Sequence, residues 1–253
     1  MEPTTSKRIL LWCITIIAVI SIGQIPPISQ DLSYHAFADS HTYLGIPNMW
    51  NVISNIPFLF AGIYGVRFVL SAKQQLKSLY WGGLTFSIGI LLVAFGSGYY
   101  HWQPNNETLV WDRLPMTIGF MGLYAMILSA FVRAESGIKL LPWLLVAGVV
   151  SVVYWVATET AGQGDLRWYA LVQFLPMILT LVILLFFKSD EFNKTKLVGV
   201  LIWYSLAKLL EMGDFEILEI TTIISGHSLK HVAAAIACFY VIEWLKTTKH
   251  RNS

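Results

Sequence analysis

Charged side chains are scarce in this sequence. They make up 13% of its 253 residues, about half the share found in soluble domains. Set against 56% hydrophobic residues, that shortage excludes an ordinary water-soluble domain and points to lipid as the solvent. A strong charge of one sign is absent as well. The formal net charge is +2 and the 17 Lys and Arg are scattered, so there is no basic stripe to neutralise phosphates, and nucleic acid is not an expected partner. Cysteine is reduced to Cys13 and Cys238, both inside apolar runs, where a thiol behaves as a small buried hydrophobe. A disulfide framework is therefore excluded. With no internal repeat, linker or low-complexity stretch, the simplest organisation is one integral domain.

Long hydrophobic runs are what the chain has in abundance. Crossing a hydrocarbon core takes roughly 20 mostly apolar helical residues, and such runs lie at 8–25, 50–70, 80–101, 114–133, 140–158, 168–187, 197–212 and 227–245. A backbone in lipid must satisfy its own hydrogen bonds, and these runs are about twice the length of barrel strands, so they are helices. The expected fold is all-α: a polytopic transmembrane helical bundle with a seven-helix core and one additional N-terminal helix. It divides into an N-terminal transmembrane helix or signal anchor with a polar loop (1–48), the seven-helix domain (49–247) and a charged tail (248–253).

Orientation follows from the Lys and Arg of alternate connections, because cytoplasmic loops carry the excess. Thirteen of the 17 fall on the side of the N-terminus, from Lys7 and Arg8 to Lys249 and Arg251. The opposite side has Arg113 and Arg167 and many acids, among them Asp39, Asp112, Glu159 and Asp214. Both termini are expected to be cytoplasmic. Lys7 and Arg8 before an apolar run ending at Ser21-Ile22-Gly23 also resemble a signal peptide. A retained helix is preferred, and either version leaves the core orientation unchanged.

Three of the six histidines sit at matching depth near the outer ends of spans. His227 and His231 are four residues apart and so share one helical face, close enough to bind one ion. His101 closes the third span and supplies a third imidazole, the ligand number of a catalytic zinc with its fourth position open to water. Ser97 lies one turn before His101 on the same face. Asp112 begins the next span, where a carboxylate can take a proton from water or orient a ligand histidine. A lone histidine at a membrane interface is usually a hydrogen-bonded interface residue, and an isolated HxxxH pair is a weak signal. Their convergence with Asp112 and Ser97 favours function, because polar groups within a membrane are expensive. Gly96-Ser97-Gly98 is not a nucleophile elbow, and a serine mechanism would leave the histidine pair idle. His35, His41 and His250 lie in a polar loop and the tail and are read as ordinary. Gly62, Gly65, Gly82, Gly83, Gly89, Gly119 and Gly122 are read as helix-packing positions rather than cavity formers. Lys208, Glu211 and Asp214 form either a buried polar network or an interfacial ion pair.

Four stretches carry a family resemblance: Met49-Trp50-Asn51-Val52-Ile53-Ser54-Asn55, Gly96-Ser97-Gly98-Tyr99-Tyr100-His101, Trp111-Asp112-Arg113 and Gly226-His227-Ser228-Leu229-Lys230-His231. The chain from about Asp39 onward resembles the alkaline ceramidases, in the wider group of seven-helix membrane hydrolases that includes the adiponectin receptors. The resemblance implies a catalytic zinc held by His101, His227 and His231, with Asp112 and Ser97 in catalytic roles. It also implies a lipid amide substrate, ceramide or a relative, cleaved to a sphingoid base and a fatty acid. The additional N-terminal helix is more like the bacterial members, which implies a bacterial inner membrane. The acidic calcium-binding stretch of the eukaryotic enzymes is not reproduced. Asp39 and Asn48 are its only remnants, which argues against a bound calcium. The reading from another class is a receptor or signalling protein with a structural zinc; a transporter would call for inverted repeats, and none is found.

Overall fold

The structure, a computed structural model, describes residues 5–189 and 191–250. Residues 251–253 and the side chains of 248–250, which make up the expected charged tail, lie outside what is described. The α-helices in chain order are α1 (Thr5–Gln24), α2 (Met49–Ile53), α3 (Ile56–Ser71), α4 (Lys73–Leu76), α5 (Tyr80–Trp102), α6 (Asn106–Phe131), α7 (Ala134–Thr160), α8 (Arg167–Phe186), α9 (Thr195–Met212), α10 (Asp214–Thr221) and α11 (Gly226–His250).

Seven helical segments are long and apolar enough to cross a membrane, with α2–α3 and α4–α5 each forming one of them. The chain is an integral, multi-pass membrane protein. The remaining long helix, α9, has 18 residues and carries Lys196, Lys208 and Glu211. It packs along α11 and completes the seven-helix core, while α1 stands outside against α8. Large apolar side chains such as Trp143, Leu185 and Ile202 are exposed on the outside, while Asp39, Asn51, Ser97, Arg113 and the three histidines are buried. That distribution suits lipid, where hydrocarbon is the solvent and polar groups must find partners inside.

The centre of the bundle is the close pair α5 and α6. They touch backbone to backbone where Gly89 faces Gly119: a Cβ on Gly89 would lie 2.5 Å from the Gly119 nitrogen. Small residues allow this approach where the hydrophobic effect offers no drive between helices in lipid. Of the seven glycines singled out above, Gly119 is also the one that lines the internal cavity.

The start of α6 differs from expectation. The run read from 114 actually begins at Asn106, because Asn105 forms a capping box with Thr108: its side chain accepts the Thr108 N–H at 2.9 Å and the Thr108 hydroxyl accepts the Asn105 N–H at 3.2 Å. Two polar turns are thereby added to the helix. Asp112 lies inside α6 rather than at its start.

Candidate metal centre

At one end of the bundle, α5 closes and α11 opens within reach of each other. His101 stands on the last turn of α5, and His227 and His231 stand on the first two turns of α11. All three are buried, and each offers a ring nitrogen within 4.8 Å of the other two. His101 Nε2 and His227 Nε2 are 3.3 Å apart. Two imidazoles on a tetrahedral zinc, with bonds of about 2.0–2.1 Å, place their nitrogens about 3.3–3.4 Å apart. The donor set therefore fits a zinc-sized ion. No fourth His, Cys, Asp or Glu among the described residues joins the group.

The orientation of His231 follows from its neighbour. The Ser54 hydroxyl spends its proton on the Asn51 carbonyl at 3.0 Å. It must therefore accept from His231 Nδ1–H, which lies 2.8 Å away. That fixes the tautomer and leaves the Nε2 lone pair for a metal. His227 is positioned through its backbone: Asp214 accepts the His227 N–H at 2.7 Å and the Ala38 N–H at 2.9 Å. One carboxylate thus caps the first turn of α11 and ties the loop after α1 to it. Gly226 is required at this point, since a Cβ there would run into the Leu210 carbonyl oxygen. Asn51 accepts hydroxyl hydrogen bonds from Ser228 at 2.7 Å and Ser225 at 3.3 Å, and so anchors α2 to the same turn.

The segment between α1 and α2 covers the histidines. Phe37 packs against the rings of His101 and His227, at centroid distances of 4.7 and 4.4 Å. His35 is held between the Tyr100 hydroxyl and the Asn106 side chain, at 2.9 Å each, and His41 is an exposed partner of Asp39. Neither belongs to the metal group. Asp39 accepts the N–H groups of His41 and Trp50 at 3.2 and 3.1 Å, and Asn48 donates to the His101 carbonyl at 2.8 Å. Both side chains act as pins that hold the covering segment over the site.

Ser97 and Asp112 face each other across α5 and α6. With His231 and Arg113 they line a cavity of about 380 Å³ that continues between apolar side chains, among them Phe86, Ile90 and Leu123. Beside the histidines, Glu211 bridges Lys208 at 2.5 Å and Lys230 at 2.6 Å. Lys230 Nζ also lies 3.2 Å from His227 Nε2. Lys208 and Glu211 of α9 therefore form a network with Lys230 that reaches the site, and Asp214 reaches it separately, through the His227 N–H. The lone pair of His227 Nε2 cannot serve both a metal and the ammonium, so metal binding would leave Lys230 to Glu211.

The structure brings together every residue singled out for the site: His101, His227, His231, Ser97 and Asp112. Ser54, Phe37 and Lys230 were not singled out, although Ser54 and Lys230 stand in the quoted motif stretches, while Asp214 was named only with Lys208 and Glu211 as a network or ion pair. The polar Ser54 inside an apolar span was the available signal; Phe37 carries none. The family model described as Ceramidase matches residues 41–253. No curated protein matches the chain.

Proposed function

The chain belongs to the ceramidase family, and from that premise we propose that it is a zinc-dependent hydrolase of a lipid amide, ceramide or a relative, with its chemistry at the three-histidine centre. The observation that carries this reading is the convergence of three buried imidazoles with no fourth protein ligand among the described residues. A structural zinc would use four protein ligands, whereas a catalytic one keeps a position open for water. That difference favours hydrolysis over a receptor role for the same bundle.

A zinc ion bound there would supply a Lewis acid that polarises the amide carbonyl and brings the pKa of water toward 7. The chain's own groups do the rest. Asp112 accepts a proton from the attacking water and passes it to the amide nitrogen as the carbon–nitrogen bond breaks, so that the products are a carboxylic acid and a free amine. The Ser97 hydroxyl donates a hydrogen bond to the oxygen on which negative charge develops. The apolar cavity takes the acyl chain, and Phe37 with its segment limits bulk water at the histidines. The bias of Lys and Arg toward the N-terminal side supports termini in the cytoplasm and the site at the outer face.

The test is metal content of detergent-purified protein, wild type beside His231→Ala, together with fatty acid release from a panel of lipid amides that includes ceramide. About one zinc per chain is expected, lost along with amide cleavage in the variant. Asp112→Asn should retain the metal and lose turnover by a factor on the order of 100 or more. Full turnover in that variant would remove the assignment of the base, and metal-free protein that cleaves amides would remove the zinc.

A further inference from the structure

Arg113 is a buried cation with one guanidinium donor left unpartnered. It is 6% exposed and forms no ion pair within 4 Å among the described residues. Its guanidinium is stacked by Trp155 at 4.1 Å and Tyr169 at 4.7 Å, with Tyr34 at 5.9 Å. Nη2 donates to Gln30 Oε1 at 2.6 Å, while Nη1 is buried with no hydrogen-bond partner. The nearby carboxylate of Glu159 is occupied elsewhere: it accepts from the Gln30 N–H, from Trp155 Nε1–H and from Asn106. The carboxylate of the preceding residue, Asp112, meets the Ser97 side chain and acts on Arg113 through charge without forming an ion pair with it.

An unpaired buried charge costs several kcal/mol, and an orphaned donor adds to that cost. Aromatic rings on the faces of a guanidinium leave its in-plane N–H groups as the only route to a partner, the geometry suited to carboxylate, sulfonate or phosphate. Arg113 lines the same cavity as Asp112, Ser97 and His231. The cavity's charged lining is Arg113, Lys208 and Lys230 against Asp112 and Glu211, an excess of positive charge before any metal is counted. A wholly neutral amide would leave that excess unanswered.

We propose that Arg113 is a specificity residue that binds an anionic group on the amine side of the substrate, so that the preferred lipid amide carries an acidic head group close to the scissile bond. The inference rests on the amide-hydrolase reading for its setting, since that reading defines which part of the substrate meets the site.

The experiment measures binding to the zinc-loaded full-length protein in detergent at neutral pH. The probes are ketone analogues of N-palmitoylglycine and N-palmitoylethanolamine, in which CH2 replaces the amide NH so that nothing is cleaved, and palmitate itself. The wild type should bind the acidic analogue on the order of tenfold more tightly than the neutral one, as expected for a charge-assisted contact. Arg113→Gln should abolish that preference while keeping the zinc content and the neutral analogue's affinity, and Arg113→Lys should keep part of it. Equal binding by the wild type, which needs no variant to observe, would overturn the proposal. A preference that survives Arg113→Gln would do so as well. An Arg113-dependent gain for palmitate alone would show that the arginine holds the released acid, and would also overturn it. Failure to cleave any amide, with the binding preference intact, would remove the hydrolase reading and leave the anion site. Cleavage of neutral amides with no preference for acidic analogues would remove the anion site alone.

Discussion

The nitrogen that His231 presents to a metal depends on a serine 177 residues away in the chain. Ser54 can act only as an acceptor toward the ring, because its single proton is committed to Asn51. Without that contact the imidazole is free to rotate and to carry its proton on either nitrogen. Partners of this kind typically contribute 10- to 100-fold in metal affinity. Ser54→Ala is therefore expected to weaken zinc binding by about 10- to 100-fold while leaving the helical content unchanged, read by competition with a chelator of known affinity and by circular dichroism. Wild-type affinity in that variant would mean that packing by Phe58, at 6.4 Å from the ring, is enough to hold His231. At this scale little could be read ahead. The spacing of His227 and His231 is a local property of any helix and placed them on one face. The partners of those rings are far apart in sequence and show no periodic signal.

Among the elements, the alignment of α5 with α6 decides where Ser97 and Asp112 meet. Gly96 is pressed against the α6 backbone, so that a Cβ would overlap the Trp111 carbonyl oxygen. Two residues along, Gly98 has nothing within 4 Å of the same position. Gly96→Ala must push the helices apart beside the candidate base, and a shift of about 1 Å in a reacting group can cost on the order of 100-fold in rate. We expect Gly96→Ala to lower both thermal stability and amide turnover, and Gly98→Ala to change neither appreciably, with both measured on the purified variants. Equal behaviour of the two would separate catalysis from this helix contact. The elements themselves were largely legible, because apolar runs of membrane length are a strong signal. The start of α6 was misplaced because Asn105, Asn106 and Glu107 look like loop by composition, whereas Asn105 with Thr108 forms the box that caps the helix. Lys208 and Glu211 of α9 fit either an interfacial ion pair or a buried network by sequence, and the bridge from Glu211 to both Lys208 and Lys230 decides for the network.

At the scale of the whole molecule, the additional N-terminal helix is tied to the core at the loop between α7 and α8. The Leu166 N–H donates to the Ile28 carbonyl at 2.8 Å, and Arg167 donates to the Ile25 carbonyl. Asp165 holds Arg167 through Nε at 2.8 Å and Nη2 at 2.7 Å, and accepts from the Tyr154 hydroxyl at 3.1 Å. These bonds, led by the guanidinium, lower the Asp165 carboxyl from its ordinary 3.8 to about 2. A carboxyl lowered on folding stabilises the native state above its unfolded value and loses that contribution as pH falls through the folded one. The melting temperature of Asp165→Asn should therefore lie below that of the wild type at pH 5 and above. The gap should close between about pH 4 and pH 2, followed by thermal unfolding in detergent. A gap that stays constant over that window would mean the clamp acts by shape and not by charge.

Hydropathy and short-range spacing are properties of consecutive residues, and by themselves they determined that this chain is a helical membrane bundle. They also showed that His227 shares a helix face with His231, and Ser97 with His101. The matched family adds the class of chemistry. Tertiary structure alone decided that the two faces meet and that Ser54 orients His231. It also decided that Asp214 caps α11 and that Arg113 is caged by three aromatic rings with one donor left over. Each of those contacts joins segments distant in the chain. In lipid, which helix packs against which is set by close backbone approach and by the pairing of buried polar groups across the whole bundle, and neither leaves a pattern in any one stretch of sequence.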